Sequence, residues 1–169
     1  MNFHWAVYLS LFLALWSAVV GGVFSAFSEF VMSGLLRAAP AGGIESMQHI
    51  NRTVLRTQFV AGILIIPLLS IAFAIYAWRS GLGDTAWPVL LAPVVFVPTV
   101  LLMTMFGNVP MNNRLEALDP NSAEAATYWI EYGRVWTRLN HVRTLGSIVT
   151  AGLYMLGAIA LAASDRSLI

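Results

Sequence analysis

The chain has 169 residues, of which 59% are hydrophobic and 10% charged, with a formal net charge of +1; its mean hydropathy of +0.76 lies far outside the range of soluble globular domains. All nine basic residues are arginine and none forms a tract, so nothing points to nucleic acid. With no cysteine, disulfides, thiolate nucleophiles and cysteine-ligated zinc or iron–sulfur clusters are excluded. The composition is that of a single integral membrane domain, 1–169.

A hydrocarbon layer about 30 Å thick is crossed by about 20 apolar helical residues, and four stretches are that long: 5–27, 58–78, 87–106 and 144–163. Backbone groups in lipid must bond within their own segment, so the expected fold is all-α, a four-transmembrane-helix bundle. The first stretch lacks the basic leading residues of a signal peptide and reads as a span. It carries Ser17, Gly21 and Ser25 at four-residue spacing, a ridge that lets helices approach closely. In span three Pro88 suits a helix start, whereas Pro93 and Pro98 remove backbone donors and predict kinks.

Arg37, Arg52 and Arg56 fall between spans one and two, and Arg114, Arg134, Arg138 and Arg143 between spans three and four. The positive-inside bias puts both long connections in the cytoplasm and both termini outside, with the bacterial inner membrane as the expected location. Trp5, Trp78 and Trp87 suit an aromatic belt on the outer side. Each connection holds a proline and then a helical pattern running into the next span, so cytoplasmic helical extensions of spans two and four are expected. Leu36 to Pro40 before His49 to Thr53 parallels Leu115 to Pro120 before Asn140 to Thr144, the pattern of two parallel hairpin repeats about a central cavity. Asp119 and Pro120 read as N-cap and first residue of the last helix, with Gly133 and Gly146 as the places for a bend.

Trp129, Tyr132, Trp136, Asn140 and Arg143 recur at spacings of three and four and share one helical face, which must be buried or bind something; Glu131, Arg134 and Arg138 fall off it. The aromatics suit stacking on a flat polycyclic molecule or anchoring at the membrane interface. Asn108, Asn112 and Asn113 surround Pro110, where their amides either hold a carbonyl or phenolate oxygen or cap the third helix. His141 stands at the mouth of span four and can move protons near neutral pH; His49, with Asn51 and Arg52, holds the corresponding place before span two. Glu29, at the inner end of span one, is costly near hydrocarbon unless paired or protonated. It either pairs with Arg52 or Arg143 or serves as a base. Two histidines and a carboxylate, His49, His141 and Glu29, are also the ligand types of non-haem iron, and the histidines those of haem. No Glu-x-x-His or His-x-x-x-His repeat fixes such a site, so none is assigned.

Gly21-Gly22-Val23-Phe24 with Phe27 to Met32, Met47-Gln48-x-Ile50-Asn51-Arg52, Asn108 to Asn113, and Trp136-x-x-x-Asn140-His141-Val142-Arg143-Thr144 together resemble the anthrone oxygenase family of small membrane proteins. The resemblance implies oxidation of an anthrone to an anthraquinone by dioxygen, with no added organic cofactor or metal. An anthrone anion is electron-rich enough to reduce dioxygen itself, so the protein need supply only a base, anion stabilisation and a dry aromatic pocket. By residue chemistry, His141 or Glu29 is the expected base, and Asn112, Asn140 and Arg143 hold the oxyanion. Trp129 and Trp136 stack the rings, and Asn108, Asn113, Tyr132, His49, Asn51 and Arg52 complete the substrate pocket. The expected partners are dioxygen, an aromatic small molecule and membrane lipid, with a protein partner or homo-oligomer left open. The same motifs also fit a non-catalytic membrane subunit or a lipid- or quinone-binding module whose polar face is a structural network.

Overall fold

A computed structural model of the chain describes residues 4–81 and 83–166, and these form helices and turns with no strand among them. Helix α1 spans Trp5–Arg37, α2 Pro40–Val54, α3 Gln58–Arg79, α4 Trp87–Glu116 and α5 Ala123–Arg166. All but α2 are long and apolar enough to cross a membrane, so the chain is an integral membrane protein of the four-helix, all-α class. Around the bundle the order is α1, α5, α4, α3, and α1 packs most extensively on α5, leaving α3 and α5 diagonally opposite. α2 lies across one end, burying Gly43, Ile44, Met47 and Gln48. Gln48 Nε2 fixes it there by donating to the carbonyls of Leu115 and Leu118, both at 3.0 Å.

The expected ridge on α1 is a packing device: Ser17 is fully buried, and a Cβ on Gly21 would stand 3.1 Å from Ser147 Cβ on α5. Trp5, Trp78 and Trp87 are all exposed at the same end of the bundle. Two apolar clusters form. One fills the membrane layer and includes Leu13, Val20, Ile66, Phe73, Phe96 and Tyr154. The other, beneath α2, includes Met32, Ile44, Met47, Leu115, Trp129 and Tyr132.

Two helices run past their expected ends. α1 continues ten residues beyond position 27 through a wide π turn at Phe27–Val31. α4 holds two more, Val97–Leu102 and Thr104–Asn108, and continues past 106 to Glu116. Pro98 and Pro110 cannot donate to the preceding turn, and a widened turn lets the hydrogen-bond ladder pass them without ending the helix. Thr99 Oγ1 donates to the Val95 carbonyl at 2.7 Å within the first of these turns.

α5 is one helix of 44 residues, unbroken at its glycines. Gly133 and Gly146 instead admit neighbours: a Cβ would meet Leu36 Cδ2 at 2.6 Å in the first case and Thr99 Cβ at 2.6 Å in the second. α5 also begins three residues later than expected. Asp119 Oδ1 accepts the Asn121 N–H at 3.0 Å, closing a turn around Pro120. The cap falls to Ser122, whose Oγ accepts the Ala125 N–H at 3.1 Å. The two hairpins differ at one point, because α2 is separated from α3 at 55–57 whereas the matching segment of α5 is continuous with its span.

Candidate functional site

Between the two apolar clusters lies a cavity of about 250 Å³, where α1 and α4 leave the apolar layer and α3 and α5 join it. Its walls are apolar, with Phe24 and Phe27 from α1, Met47 from α2, Phe59 and Ile63 from α3 and Leu101 from α4. Its polar groups are Asn51, Thr104, Asn108, Asn112, Asn140 and Arg143, together with the indole of Trp136. Residues of all three widened turns line it, namely Phe27, Leu101, Thr104, Met105 and Asn108. Such turns rotate the side chains that follow them, and they recur at functional sites.

Asn140 organises one wall. Its Nδ2 donates to the Phe24 carbonyl and to Ser28 Oγ, both at 2.6 Å, and its Oδ1 accepts from Arg143 Nη2 at 2.6 Å. Arg143 Nη1 reaches Thr104 Oγ1 at 3.4 Å. The guanidinium carbon lies 4.3 Å from the centroid of the Phe24 ring and 5.2 Å from that of Trp136, contacts that offset part of the cost of burying a cation. Among the described residues no carboxylate pairs with Arg143, and its Nε has no partner. A buried guanidinium held by an amide and two rings, with no counter-ion, attracts an anion or an oxygen of high electron density.

On the adjoining wall Asn108 donates from Nδ2 to the Trp136 carbonyl at 3.2 Å, while its buried Oδ1 accepts nothing. Asn112 Oδ1 accepts from Tyr132 Oη and Trp136 Nε1, each at 2.8 Å. These bonds hold the indole in place. At this wall Asn108 Oδ1, an acceptor, and Arg143 Nε, a donor, are both buried without a partner.

The face predicted on α5 is buried from Trp129 through Tyr132, Trp136 and Asn140 to Arg143, and Glu131, Arg134 and Arg138 are exposed. Only its last three members reach the cavity. Trp129 stacks on Tyr132 at 5.4 Å and Tyr132 on Trp136 at 6.0 Å, so Trp129 and Tyr132 form a pillar behind the site. Asn51, Asn108 and Asn112 join the cavity, whereas Asn113 is exposed outside it.

His141, Glu29, His49 and Arg52 are also exposed and outside it. His141 borders a separate groove between α1 and α5, beside Arg37, Arg134 and Arg138. Glu29 bonds Ser25 Oγ instead of Arg52 or Arg143; Arg52 pairs with Glu116 at 2.7 Å. Among the described residues no group of three or more His, Asp or Glu side chains could hold a metal ion. His49, His141 and Glu29 form no such group. Thr104 and Phe24 were not anticipated, although Thr104, Asn108 and Asn112 recur every four residues and so share a face.

Four helices long and apolar enough to cross a membrane surround an apolar cavity with a buried arginine and amides on its wall, the arrangement of a small helical membrane protein with an internal site. The chain belongs to the anthrone oxygenase family: the family model matches residues 52–153, a segment that includes every polar residue of the cavity except Asn51. No curated protein and no solved structure matches the chain.

Proposed function

We propose that the protein is an oxygenase that uses dioxygen to oxidise an anthrone-like or other phenolic polycyclic substrate, with no organic cofactor or metal, in a cavity on the cytoplasmic side of the bacterial inner membrane. Family membership supports the reaction class, and the arginine-rich connections support the orientation. The observation that carries the reading is Arg143, held beside Asn108 and Trp136 at the wall of an apolar cavity. The volume lies near the small end of ligand sites, which run from roughly 300 to 1,000 Å³, and suits one ring system.

In this reading the substrate carbonyl faces Arg143, and a peri hydroxyl donates to Asn108 Oδ1. The guanidinium lowers the cost of the enolate formed when the opposite ring carbon loses a proton to water. The enolate passes an electron to dioxygen, and the radical pair combines to form a carbon–peroxide bond. Loss of water then leaves a second carbonyl. One oxygen atom stays in the product and the other leaves as water, and the substrate supplies all the electrons. His141 and Glu29 take no part, because neither faces the cavity.

The test is oxygen uptake with a simple hydroxyanthrone in mild detergent, together with melting curves. Arg143→Met should lower turnover by about 10²–10³-fold, the effect of losing one oxyanion donor, while His141→Ala stays near wild type. A second reading, a structural or quinone-binding network, draws support from Asn140, whose three bonds tie α1 to α5. Wild type without uptake, and an Arg143→Met variant that only melts earlier, would establish that reading instead.

A further inference from the structure

The cavity is walled where α1 meets α5 and α5 meets α4, but not between α3 and α4. Those two helices pack on each other along Trp87–Leu102 and part from Thr104 onward. The gap is bordered by Leu64 on α3 and by Met105 and Val109 on α4. These side chains are 53%, 50% and 39% exposed, and all three also line the cavity, as does Leu55 at the α2–α3 break, which is 69% exposed. A side chain that faces both the outside and the cavity stands at a mouth. Leu64 and Met105 lie towards the inner ends of helices long and apolar enough to cross the membrane, so this mouth opens at the inner edge of the hydrocarbon layer.

We infer that the substrate reaches the site from the bilayer, through the α3–α4 opening, and that it carries an apolar tail which stays in the lipid while its oxygenated ring edge is held by Arg143 and Asn108. The inference rests on the proposed function for the identity of the ring and on geometry for the tail. A cavity of about 250 Å³ admits one ring system, so any longer substituent must leave through the mouth. There the rim is aliphatic and the surroundings are acyl chains. A charged or strongly polar substituent would have to be desolvated, whereas an alkyl chain stays in the medium it already occupied. Each added methylene also raises the membrane concentration of the ligand about fourfold.

The inner wall fits the same orientation. Asn140 and Arg143 come from α5, which stands diagonally across the bundle from α3. A ring that passes α3 edge-first therefore meets the guanidinium with its leading oxygen.

The experiment uses the full chain in nanodiscs and two brominated naphthols, alike except that one bears a dodecyl chain and the other a short sulfonate chain opposite the hydroxyl. The readout is quenching of Trp136 fluorescence, taken as the component lost in Trp136→Phe, and oxygen uptake is followed in the same samples with a hydroxyanthrone. The expected result is that the alkyl probe quenches at a membrane concentration at least tenfold below that required of the sulfonate probe. Narrowing the mouth with Leu64→Phe/Met105→Phe should weaken that quenching at least tenfold, with the melting temperature kept because both side chains face lipid. Equal quenching by both probes in the wild type, or quenching unaffected by the narrowed mouth, overturns the inference. Quenching as expected without any oxygen uptake would leave the lipid route standing and defeat the oxygenase reading. Uptake that ignores the narrowed mouth would do the reverse.

Discussion

Replacing Asn140 tests the internal wiring of the site. Leucine has the same branched shape and a good helix propensity, so Asn140→Leu removes hydrogen bonds without opening a cavity, with some added crowding where methyl groups replace polar atoms. The Phe24 carbonyl and Ser28 Oγ each lose a partner at 2.6 Å, and Arg143 Nη2 loses its acceptor. Two neutral bonds at about 1 kcal/mol each and one charge-assisted bond at about 1.5–3 kcal/mol set an upper range. Within membranes such bonds average nearer 0.6 kcal/mol, and the expected loss is about 2–4 kcal/mol. Arg143→Met removes the cation itself, so the loss in the double variant should fall short of the sum of the singles. The expected coupling is about 1–3 kcal/mol, against deviations of about 0.3–0.5 kcal/mol for independent sites. Reversible unfolding in mixed micelles, followed by tryptophan fluorescence for the wild type, both singles and the double, measures each corner of the cycle. Additive singles, or an Asn140→Leu loss below about 0.5 kcal/mol, would refute the view that Asn140 holds the arginine in place.

Gly146→Ala places a Cβ 2.6 Å from Thr99 Cβ and should destabilise by about 1–3 kcal/mol through overpacking; Gly152→Ala, with nothing within 4 Å, should be neutral or slightly stabilising, and thermal melts compare the two. Glu116→Gln breaks the exposed pair with Arg52 and should cost no more than about 0.5 kcal/mol, diminishing as salt is added. Because His141 lies outside the cavity, His141→Ala should leave the rate of oxygen uptake unchanged.

The four spans were legible because twenty apolar residues in a row have few other uses, and the buried face of α5 because Trp129, Tyr132, Trp136, Asn140 and Arg143 keep helical spacing throughout. Helix ends were not legible where prolines intervened. Pro110 reads as a stop in one dimension, but the widened turn at Thr104–Asn108 carries the helix past it and turns Asn108 inward. The site residues divided along the same line. Asn108, Asn112, Trp136, Asn140 and Arg143, singled out by chemistry and spacing together, line the cavity. His141 and Glu29 were singled out for chemistry alone, and one is a single residue off the inward face while the other lies on the outer side of a π turn, whose extra residue shifts the helical phase. Thr104 carries no such chemistry of its own, and threonine in a membrane helix is usually spent on its own backbone.

The length of α5 has a mechanical meaning. At 1.5 Å per residue its 44 residues make a rod of about 66 Å, more than twice the thickness of a hydrocarbon layer. One uninterrupted ladder carries both the aromatic pillar beneath α2 and the small-residue seam against α1 and α4. Tilting either end therefore tilts the other, and neither can slide on its own. The chain's freedom to yield is left to α2, which is joined to α3 through the break at 55–57 and is held down by the two hydrogen bonds of Gln48. A bundle made this way behaves less like a set of four independent staves than like a fixed mast with one hinged flap.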